Sequence, residues 1–408
     1  MSDGFLGASS QLAVTINDID VPFQNIKEFV MRESMFSLGC ELDMTFVDPG
    51  VFSEIVPICD TSIIKVSFSL DRDKLLTINF KIFAHESERT QLDGGIMYVW
   101  RVVSVQSTPG TTTGIQTRAF PTMTSKDVLE TLAQEMGLTL TSDVKPQDSQ
   151  TWLQINIGNY SFLRYVIKRA FVQQRDLPLA FVTKEAELKY TSLQTIVDKT
   201  ETYTFINNDI LTIDGQDWII NKLKESFNEN IMFYRTGVMA KSFSTIKNYV
   251  GAYGRNFTYF DGTDLREVRL TFPTPSMTTN KDRSANKQAL YDSQTYGLKY
   301  GNVHEKYMLA TNQNRYISDA FFSSYINVVV NPNFDLKIGD KINMVYIKNV
   351  DKYFKGQPSI DEINSGYYIV GNILHNIVPN GTYTMIVTLF RDGLNLNDRV
   401  NEKLGLYE

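Results

Sequence analysis

The chain has 408 residues, 42% of them apolar and 21% charged, which is close to a globular average and excludes a disordered protein. The net charge of −6, without a run of Lys and Arg that could neutralise phosphates, argues against a protein that reads nucleic-acid sequence. The opening MSDGFLGASS lacks a basic region and an apolar core, and no stretch reaches about 18 apolar residues, so we expect neither a signal peptide nor a membrane helix.

The first hundred residues alternate polar and apolar side chains, which is typical of antiparallel strands with one solvated face. The stretches with this pattern are 41–46, 64–70, 76–82 and 97–105. Turn sequences such as Asp48-Pro49-Gly50 separate them. The 12% share of aromatic residues also favours strands. We therefore expect this part of the chain to be an antiparallel β region.

The period of the apolar residues changes after residue 118. Thr124 and Asp127 have the spacing of a capping box, and the helical apolar stripe behind them stops at Gly137. A second helical stripe begins at about Asn159. Two short strands are expected after it, at 179–182 and 188–190. Residues 119–195 thus read as a small α/β unit inserted into a β protein.

The remaining sequence is weakly patterned at first and clear again at its end. In the weakly patterned part, strands are expected at 203–206 and 210–213, a strand or a helix at 218–223, and a loop at 273–286. In the final part, we expect a strand that ends at 347, a polar loop at 348–364, strands at 366–378 and 382–390, and a hairpin turn at Pro379-Asn380-Gly381.

Sequence motifs for metal or nucleophile chemistry are missing. The three histidines, His85, His304 and His375, have no second His at metal-ligand spacing, and neither cysteine belongs to a Cys-x-x-Cys pair. There is no nucleophile elbow, phosphate loop or dinucleotide fingerprint. We expect His375 to pack with hydrogen bonds inside an apolar strand. Cys40 and Cys59 are expected to be buried thiols, and a disulfide between them stays open.

Carboxylates are the remaining candidates for catalysis, because glycoside hydrolysis needs only two of them. The candidates are Glu130, Glu135, Asp361 and Glu362. The first two lie on or beside the polar face of the first predicted helix, which favours solvated charges. The aromatic pairs Phe321-Phe322 and Tyr367-Tyr368 fit an oligosaccharide platform, but packing in a core or an interface is favoured for them. We therefore predict no catalytic, cofactor-binding or metal-binding residue.

Several stretches, in this order, resemble baseplate hub proteins of contractile-tailed phages and related injection machines. They are Thr124–Leu138, Asn159–Ile167 with 179–182 and 187–190, and finally Leu336–Ile342 with Gly366–Val370, His375 and Arg391-Asp392-Gly393. The first is similar to a helix that follows the family's first barrel, and the last group is similar to its closing barrel. Together they extend from about residue 40 to the end, apart from the middle of the chain.

The resemblance implies a β-rich α+β fold, in which two tail-tube-like antiparallel β-barrels carry small inserted α/β domains. The implied limits are 1–118 for the first barrel, 119–195 for the α/β insert, 196–240 and 316–400 for the second barrel, 241–315 for a mixed insert, and 401–408 for a C-terminal tail.

The resemblance also implies a function without catalysis or cofactors. Such a subunit forms a homotrimer that joins the six-fold tail tube to the three-fold central spike and encloses a DNA channel. The expected partners are tail tube subunits, the central spike protein, other baseplate (wedge) proteins, and DNA that passes without sequence-specific binding or membrane insertion of the hub. The expected location is the tail baseplate of a virion, after assembly in the host cytoplasm. The alternative is a tail-associated cell-wall hydrolase that uses a carboxylate pair.

Overall fold

The structure is a computed structural model of the chain. It describes residues 12–37, 39–59, 61–71, 74–92, 95–107, 114–207, 230–242, 254–260, 265–271, 293–298, 303–322, 324–346, 365–378 and 383–392. Strands dominate these residues and helices are few, so the predicted β-rich α+β class is confirmed. In the described part of the chain, no helix is both long and apolar enough to cross a membrane.

The first part of the chain folds into one antiparallel sheet. Its strands are β1 (Leu12–Ile16), β2 (Ile19–Val21), β3 (Ile26–Ser34), β4 (Glu41–Asp48), β5 (Ile63–Asp71), β6 (Lys74–Leu92) and β7 (Gly95–Gln106). They pair in the order β3-β4-β7-β6-β5-β1-β2, and no pair between described residues joins β2 back to β3. Phe29 of β3 and Phe68 of β5 nevertheless contact each other, with ring centroids 6.0 Å apart. The sheet therefore curls around a single apolar core, although the hydrogen bonds among its described residues do not close it.

The α/β insert follows this sheet. Its elements are β8 (Gln116–Met123), α1 (Ser125–Glu135), β9 (Thr139–Ser142), β10 (Gln150–Ile157), α2 (Asn159–Arg169), β11 (Pro178–Val182), β12 (Glu187–Ser192) and α3 (Leu193–Asp198). Thr124 and Asp127 form the predicted capping box, and Gly137 beyond α1 has φ 68°, which suits a helix stop. Both predicted helices and both predicted short strands are confirmed.

The remaining elements form a closed barrel and a small separate sheet. They are β13 (Tyr203–Asn207), β14 (Ile231–Ser242), β15 (Gly254–Phe260), β16 (Leu265–Thr271), β17 (Ser293–Leu298), α4 (Tyr307–Phe321), β18 (Ser324–Val330), β19 (Lys341–Val345), β20 (Gly366–Ile377) and β21 (Tyr383–Arg391). Strands β15, β16 and β17 form the separate sheet. Six strands close the barrel in the ring β19-β13-β14-β18-β21-β20, because β19 pairs with both β13 and β20. Strand β13 runs parallel to both of its neighbours.

Buried apolar residues fill the barrel. The buried positions of β18 and β21 alternate with partly exposed ones, and the buried side chains belong to one core cluster. A barrel of this size has an interior that side chains fill, so it is a packed core and not a pore. Other predicted elements lie outside the described residues, namely 210–213, 218–223, 273–286, 348–364 and the turn at 379–381. The domain limits stay a prediction.

Candidate functional site

The curled sheet and the barrel share one continuous hydrogen-bonded sheet through the pair β3–β20. Glu33 lies opposite Ile373 in this pair, and Met31 lies opposite His375. Both strands turn alternate residues into the core, and Glu33 and His375 occupy such inward positions. A strand pair that connects two β regions thus places a carboxylate and an imidazole where apolar side chains are the rule.

The imidazole of His375 connects two hydrogen-bond partners. Its Nε2 lies 2.8 Å from Oε1 of Glu33, and its Nδ1 lies 2.7 Å from the hydroxyl oxygen of Tyr383. An ionised carboxylate only accepts hydrogen bonds, so Nε2 carries the proton and donates it. Nδ1 faces the hydroxyl of Tyr383 on the other side of the ring. This arrangement satisfies every polar atom of the imidazole.

Lys184 reaches the same carboxylate from the turn between β11 and β12. Its Nζ lies 3.5 Å from Oε1 of Glu33, and the two side chains are only 2% and 4% exposed. The ammonium group also donates to the backbone carbonyls of Phe334 and Leu336, at 2.7 and 3.2 Å. The ammonium group thus has two hydrogen-bond acceptors and one ion-pair partner.

The charges in this cluster balance each other. Burial is the largest influence on the pKa of Glu33 and raises it, but hydrogen bonding and electrostatic attraction from His375 and Lys184 together outweigh burial. The pKa of Glu33 consequently lies below its usual value. Burial and the charge of Glu33 raise the pKa of Tyr383 well above its usual value, so the phenol stays protonated.

The buried cluster joins three parts of the fold. Glu33 belongs to the curled sheet, His375 and Tyr383 belong to the barrel, and Lys184 belongs to the insert. A buried ion pair tolerates the loss of a partner poorly, because the remaining charge is left without compensation. The cluster therefore fixes how the three parts are oriented, and the predicted packing role of His375 is confirmed.

A second set of polar contacts connects α4 to the C-terminal end of α2. Asn314 donates from Nδ2 to the carbonyls of Lys168 and Ala170, at 3.3 and 2.8 Å. The Nε2 atom of His304 lies 3.3 Å from the carbonyl oxygen of Arg169. The last carbonyls of a helix lack partners within the helix, and these side chains supply them. His304 is thus a capping residue at a helix end.

Of the carboxylates that were candidates for catalysis, Glu130 and Glu135 lie among the residues that the structure describes. Glu135 binds Arg118 at 2.7 Å and accepts a hydrogen bond from Asn159, and the hydrogen bond from Arg118 lowers the pKa of Glu135. A general acid needs a raised pKa, so this environment works against that role. Glu130 is exposed on α1, and Asp361 and Glu362 lie outside the described residues. Among the residues that the structure describes, no three His, Cys, Asp or Glu side chains are grouped to hold a metal ion.

The two cysteines have different surroundings and are both free thiols. Cys40 is buried as predicted, but the predicted burial of Cys59 is wrong. The backbone turns after Ile58, which is buried in place of the thiol. Hydrogen bonds with the hydroxyls of Thr61 and Ser62 lower the pKa of the exposed Cys59 thiol.

The other side chains named in the sequence analysis are the two aromatic pairs, which lie in or against the core, and His85, which lies on the surface. Phe321 and Tyr368 are buried in the barrel core, with Phe322 and Tyr367 packed against it, so the favoured core role is confirmed for both aromatic pairs. His85 lies exposed on β6, with its ring centroid 5.9 Å from that of Trp100.

Comparisons with known proteins reveal similarity at the level of structure only. No protein-family model matches the sequence, and no curated protein matches it. The 43 kDa tail protein of prophage MuSo2 from Shewanella oneidensis aligns over 95% of this chain and 99% of its own, with 9% identity and a TM-score of 0.55. The tail protein from Neisseria meningitidis MC58 aligns over 94% of this chain and 97% of its own, with 7% identity and a TM-score of 0.56.

The chain has the fold of phage tail proteins. The predicted resemblance to tail proteins is confirmed at the level of the fold, and the similarity extends over nearly the whole chain. The sequence analysis did not identify Glu33 and Lys184 as members of the buried cluster. One signal was available for Glu33, because it follows Phe29 and Met31 at every second position of a strand whose alternate side chains point into the core. No such signal exists for Lys184, which occupies a turn.

Proposed function

We propose that this chain is a non-enzymatic structural subunit of a phage-type tail baseplate. In this role it forms a trimeric hub that joins a six-fold tail tube to a three-fold central spike. The observation that carries the proposal is the likeness in fold, over nearly the full length, to two tail proteins. The curled sheet and the closed barrel lie side by side in one chain and share the pair β3–β20, which supports a subunit with two tube-like units.

Symmetry connects this architecture to the proposed role. Three copies of a chain with two β units present six units in a ring, which suits a six-fold tube on one face. The same ring keeps true three-fold symmetry for a spike on the other face. A ring of this kind closes through heterologous contacts between copies. The buried Glu33–His375–Lys184 cluster supports the role because it holds the two units in one orientation.

The DNA channel would lie between the copies and not within a barrel, because apolar side chains fill the barrel. A net charge of −6 suits a wall past which DNA slides, since phosphate is retained by grooves of Lys and Arg. The proposed partners are further copies, tail tube subunits, the central spike and wedge proteins. The proposed location is the tail baseplate of a virion, after assembly in the host cytoplasm.

Light scattering coupled to size-exclusion chromatography tests the proposal. The full chain is measured at micromolar concentration, alone and mixed with the tube and spike proteins of the same tail. We expect a trimer, and in electron micrographs of the assembled complex a ring with three-fold mass and six β units. A monomer in every mixture would overturn the proposal.

A further inference from the structure

A groove of about 600 Å³ lies between the α/β insert and α4. One of its walls is formed by β11, and the others come from α2, α4 and the segment 35–37 that follows β3. The apolar side chains that line it include Leu163, Ile167, Leu179 and Phe322. A volume of this size and a mostly apolar lining are typical of sites that bind ligands.

Strand β11 presents a free edge to this groove. The sheet of the insert has the order β11-β12-β9, so among the described residues β11 pairs with β12 alone. A bare row of N–H and C=O groups is a template for another strand, and natural edge strands are usually protected by charged side chains or proline. The sequence of β11, Pro-Leu-Ala-Phe-Val, has no charged residue, and its proline is confined to the first position. The rest of the edge is therefore open to pairing.

The register of β11 determines which backbone groups point away from β12. The N–H of Leu193 donates to the carbonyl of Leu177 at 2.8 Å, and the N–H of Thr183 donates to that of Glu187 at 2.9 Å, both in register with the strand pair. In an antiparallel pair, residues that exchange backbone hydrogen bonds alternate with residues that do not. The N–H and C=O of Ala180 therefore point away from β12. Ala180 lines the groove, and within the described part of the chain neither group has a hydrogen-bond partner.

Apolar side chains flank this edge. Leu179 packs against the barrel core, and Ala180 packs against the core of the insert. Phe36, which also lines the groove, is 44% exposed, and its ring meets those of Phe322 and Phe390 edge to face at 5.0 and 5.7 Å. These contacts hold the ring of Phe36 in place while part of it stays open to solvent. A segment that pairs with Ala180 would thus also cover exposed apolar surface, which favours binding.

We propose that this groove binds an extended segment of a partner protein, which adds to β11 as a further strand. The backbone of the segment pairs with the N–H and C=O of Ala180, and every second side chain packs against the apolar lining beside Phe36 and Ile167. Main-chain pairing at a sheet edge, with apolar surface for alternate side chains, is a common mode of peptide recognition. A helical segment would leave the groups of Ala180 unpaired, because its own N–H and C=O groups bond within the helix.

Selection from a random library of twelve-residue peptides, displayed on their own mRNA, tests this on the full chain. We expect enriched sequences to carry Val, Ile, Phe or Tyr at every second position, which is the pattern of a strand with one apolar face. A labelled peptide of the enriched sequence is then titrated by fluorescence anisotropy against the parent chain and its variants.

Ala180→Pro is the decisive variant. Because the N–H of residue 180 points away from β12, proline leaves the hydrogen bonds between β11 and β12 in place, and edge strands tolerate it there. We expect the Kd of the peptide to rise by about tenfold, since the donor is lost and a ring carbon takes its place. Ala180→Ser is the matched control, and it should change Kd by less than about threefold because it keeps the donor.

Two further measurements decide the matter if the proline variant folds poorly. Phe36→Ala removes an exposed ring from the lining of the groove and should raise Kd by about fivefold or more. Hydrogen–deuterium exchange at single-residue resolution is then compared with and without peptide. Exchange of the Ala180 amide should slow when the peptide binds, whereas the Phe181 amide, which faces β12, should change little.

Several results would overturn the proposal. They are a selection that enriches no sequence, an enriched motif with helical spacing of its apolar residues, binding that Ala180→Pro and Phe36→Ala leave unchanged, and an Ala180 amide whose exchange the peptide does not slow. An enriched motif that occurs in this chain would assign the groove to a second copy instead of a partner. Light scattering of the Ala180→Pro chain should show the parent oligomeric state, so loss of peptide binding is distinguishable from loss of hub assembly.

Discussion

Nε2 of His375 lies 2.8 Å from Oε1 of Glu33, across 342 residues of sequence and inside the core. This contact joins the third strand of the chain to one of its last strands. Lys184 neutralises the same carboxylate from the insert, so three separate parts of the sequence meet at one charged group. The stability of the whole fold should therefore depend on each member of the cluster.

Replacing the buried lysine tests this dependence most directly. Lys184→Met keeps most of the side-chain volume but leaves the charge of Glu33 without its cation. We expect a loss of about 3–5 kcal/mol in the free energy of unfolding, which is typical when one partner of a buried pair is removed. Urea unfolding followed by tryptophan fluorescence measures this loss.

A matched control is available in the exposed pair of Lys337 and Glu185, whose Nζ and Oε1 atoms lie 3.4 Å apart. Lys337→Met should cost less than about 1 kcal/mol, because exposed ion pairs are solvated and contribute little. Equal effects of Lys184→Met and Lys337→Met would show that the buried cluster does not stabilise the fold.

The pKa of Glu33 predicts how stability changes in acid. Unfolded glutamate titrates at about pH 4.3, and the pKa of folded Glu33 is lower. Folding therefore favours the ionised form, and its contribution is present above about pH 4.3 and is lost as pH falls through the folded pKa. Unfolding free energies measured between about pH 6 and pH 2 should decline with a shallower slope in Glu33→Gln than in the parent chain.

The exposed Glu130 provides the comparison for this pH series. Glu130→Gln removes an exposed carboxylate by the same substitution, so a change of slope that both variants share does not come from the buried pair. At neutral pH, Glu33→Gln should also be less stable, since Lys184 then lacks its counter-charge. An unchanged acid slope in Glu33→Gln would contradict the ionised, paired state of Glu33.

The features that could be predicted are those that depend on residues close together in the sequence. The cap of α1 depends on Thr124 and Asp127, three positions apart, and the apolar stripe behind them is a local signal. The strands also follow from alternation over a few residues. Closure of the barrel depends instead on β19 pairing with both β13 and β20, and nothing local in β19 indicates two partners.

The candidate site was foreseen only in part for the same reason. His375 stood out as a polar residue in an apolar strand, so a hydrogen-bonded packing role could be predicted. Its partner Glu33 lies 342 positions away in the sequence. The cation Lys184 lies 191 positions away, counted from residue 184 to residue 375. Contacts over such distances depend on strand pairing and on where a turn of the insert docks, and a single sequence carries no direct record of either.

The hydrolase alternative can be tested directly. Glu135 is held ionised by Arg118, so it is poorly suited to protonate a leaving group. We expect no clearing when the full chain is run in a peptidoglycan zymogram. Clearing that disappears in Glu135→Gln or Glu130→Gln would establish the hydrolase alternative, with lysozyme on the same gel as the positive control.

Asn314 should stabilise the contact between α4 and the insert. Asn314→Ala removes the donor that meets the carbonyls of Lys168 and Ala170, leaving them without this partner in a partly buried site. We expect a cost of about 1–3 kcal/mol in thermal or urea unfolding. Asn312→Ala is the control, because Asn312 donates only within its own helix, to the carbonyl of Met308. A smaller loss in Asn314→Ala than in Asn312→Ala would argue against the capping role.

Gly371 lies where β20 changes partner, since the residues before it pair with β19 and those after it pair with β3. A Cβ atom at this position would lie 2.3 Å from Cδ2 and Cε2 of Phe390, and that ring is packed against Phe36 and Phe322. Gly371→Ala should therefore lower the free energy of unfolding by about 3 kcal/mol, at the upper end of overpacking effects.

Two further variants separate this clash from the general effect of replacing a glycine. Gly114→Ala should change stability by less than about 1 kcal/mol, because no atom lies within 4 Å of its added Cβ. Phe390→Leu, introduced together with Gly371→Ala, removes the ring atoms that clash, so the double variant should lose less stability than the sum of the single losses. If the loss in the double variant equals the sum of the two single losses, the contact with Phe390 does not explain why glycine is needed at position 371, where the two β regions join.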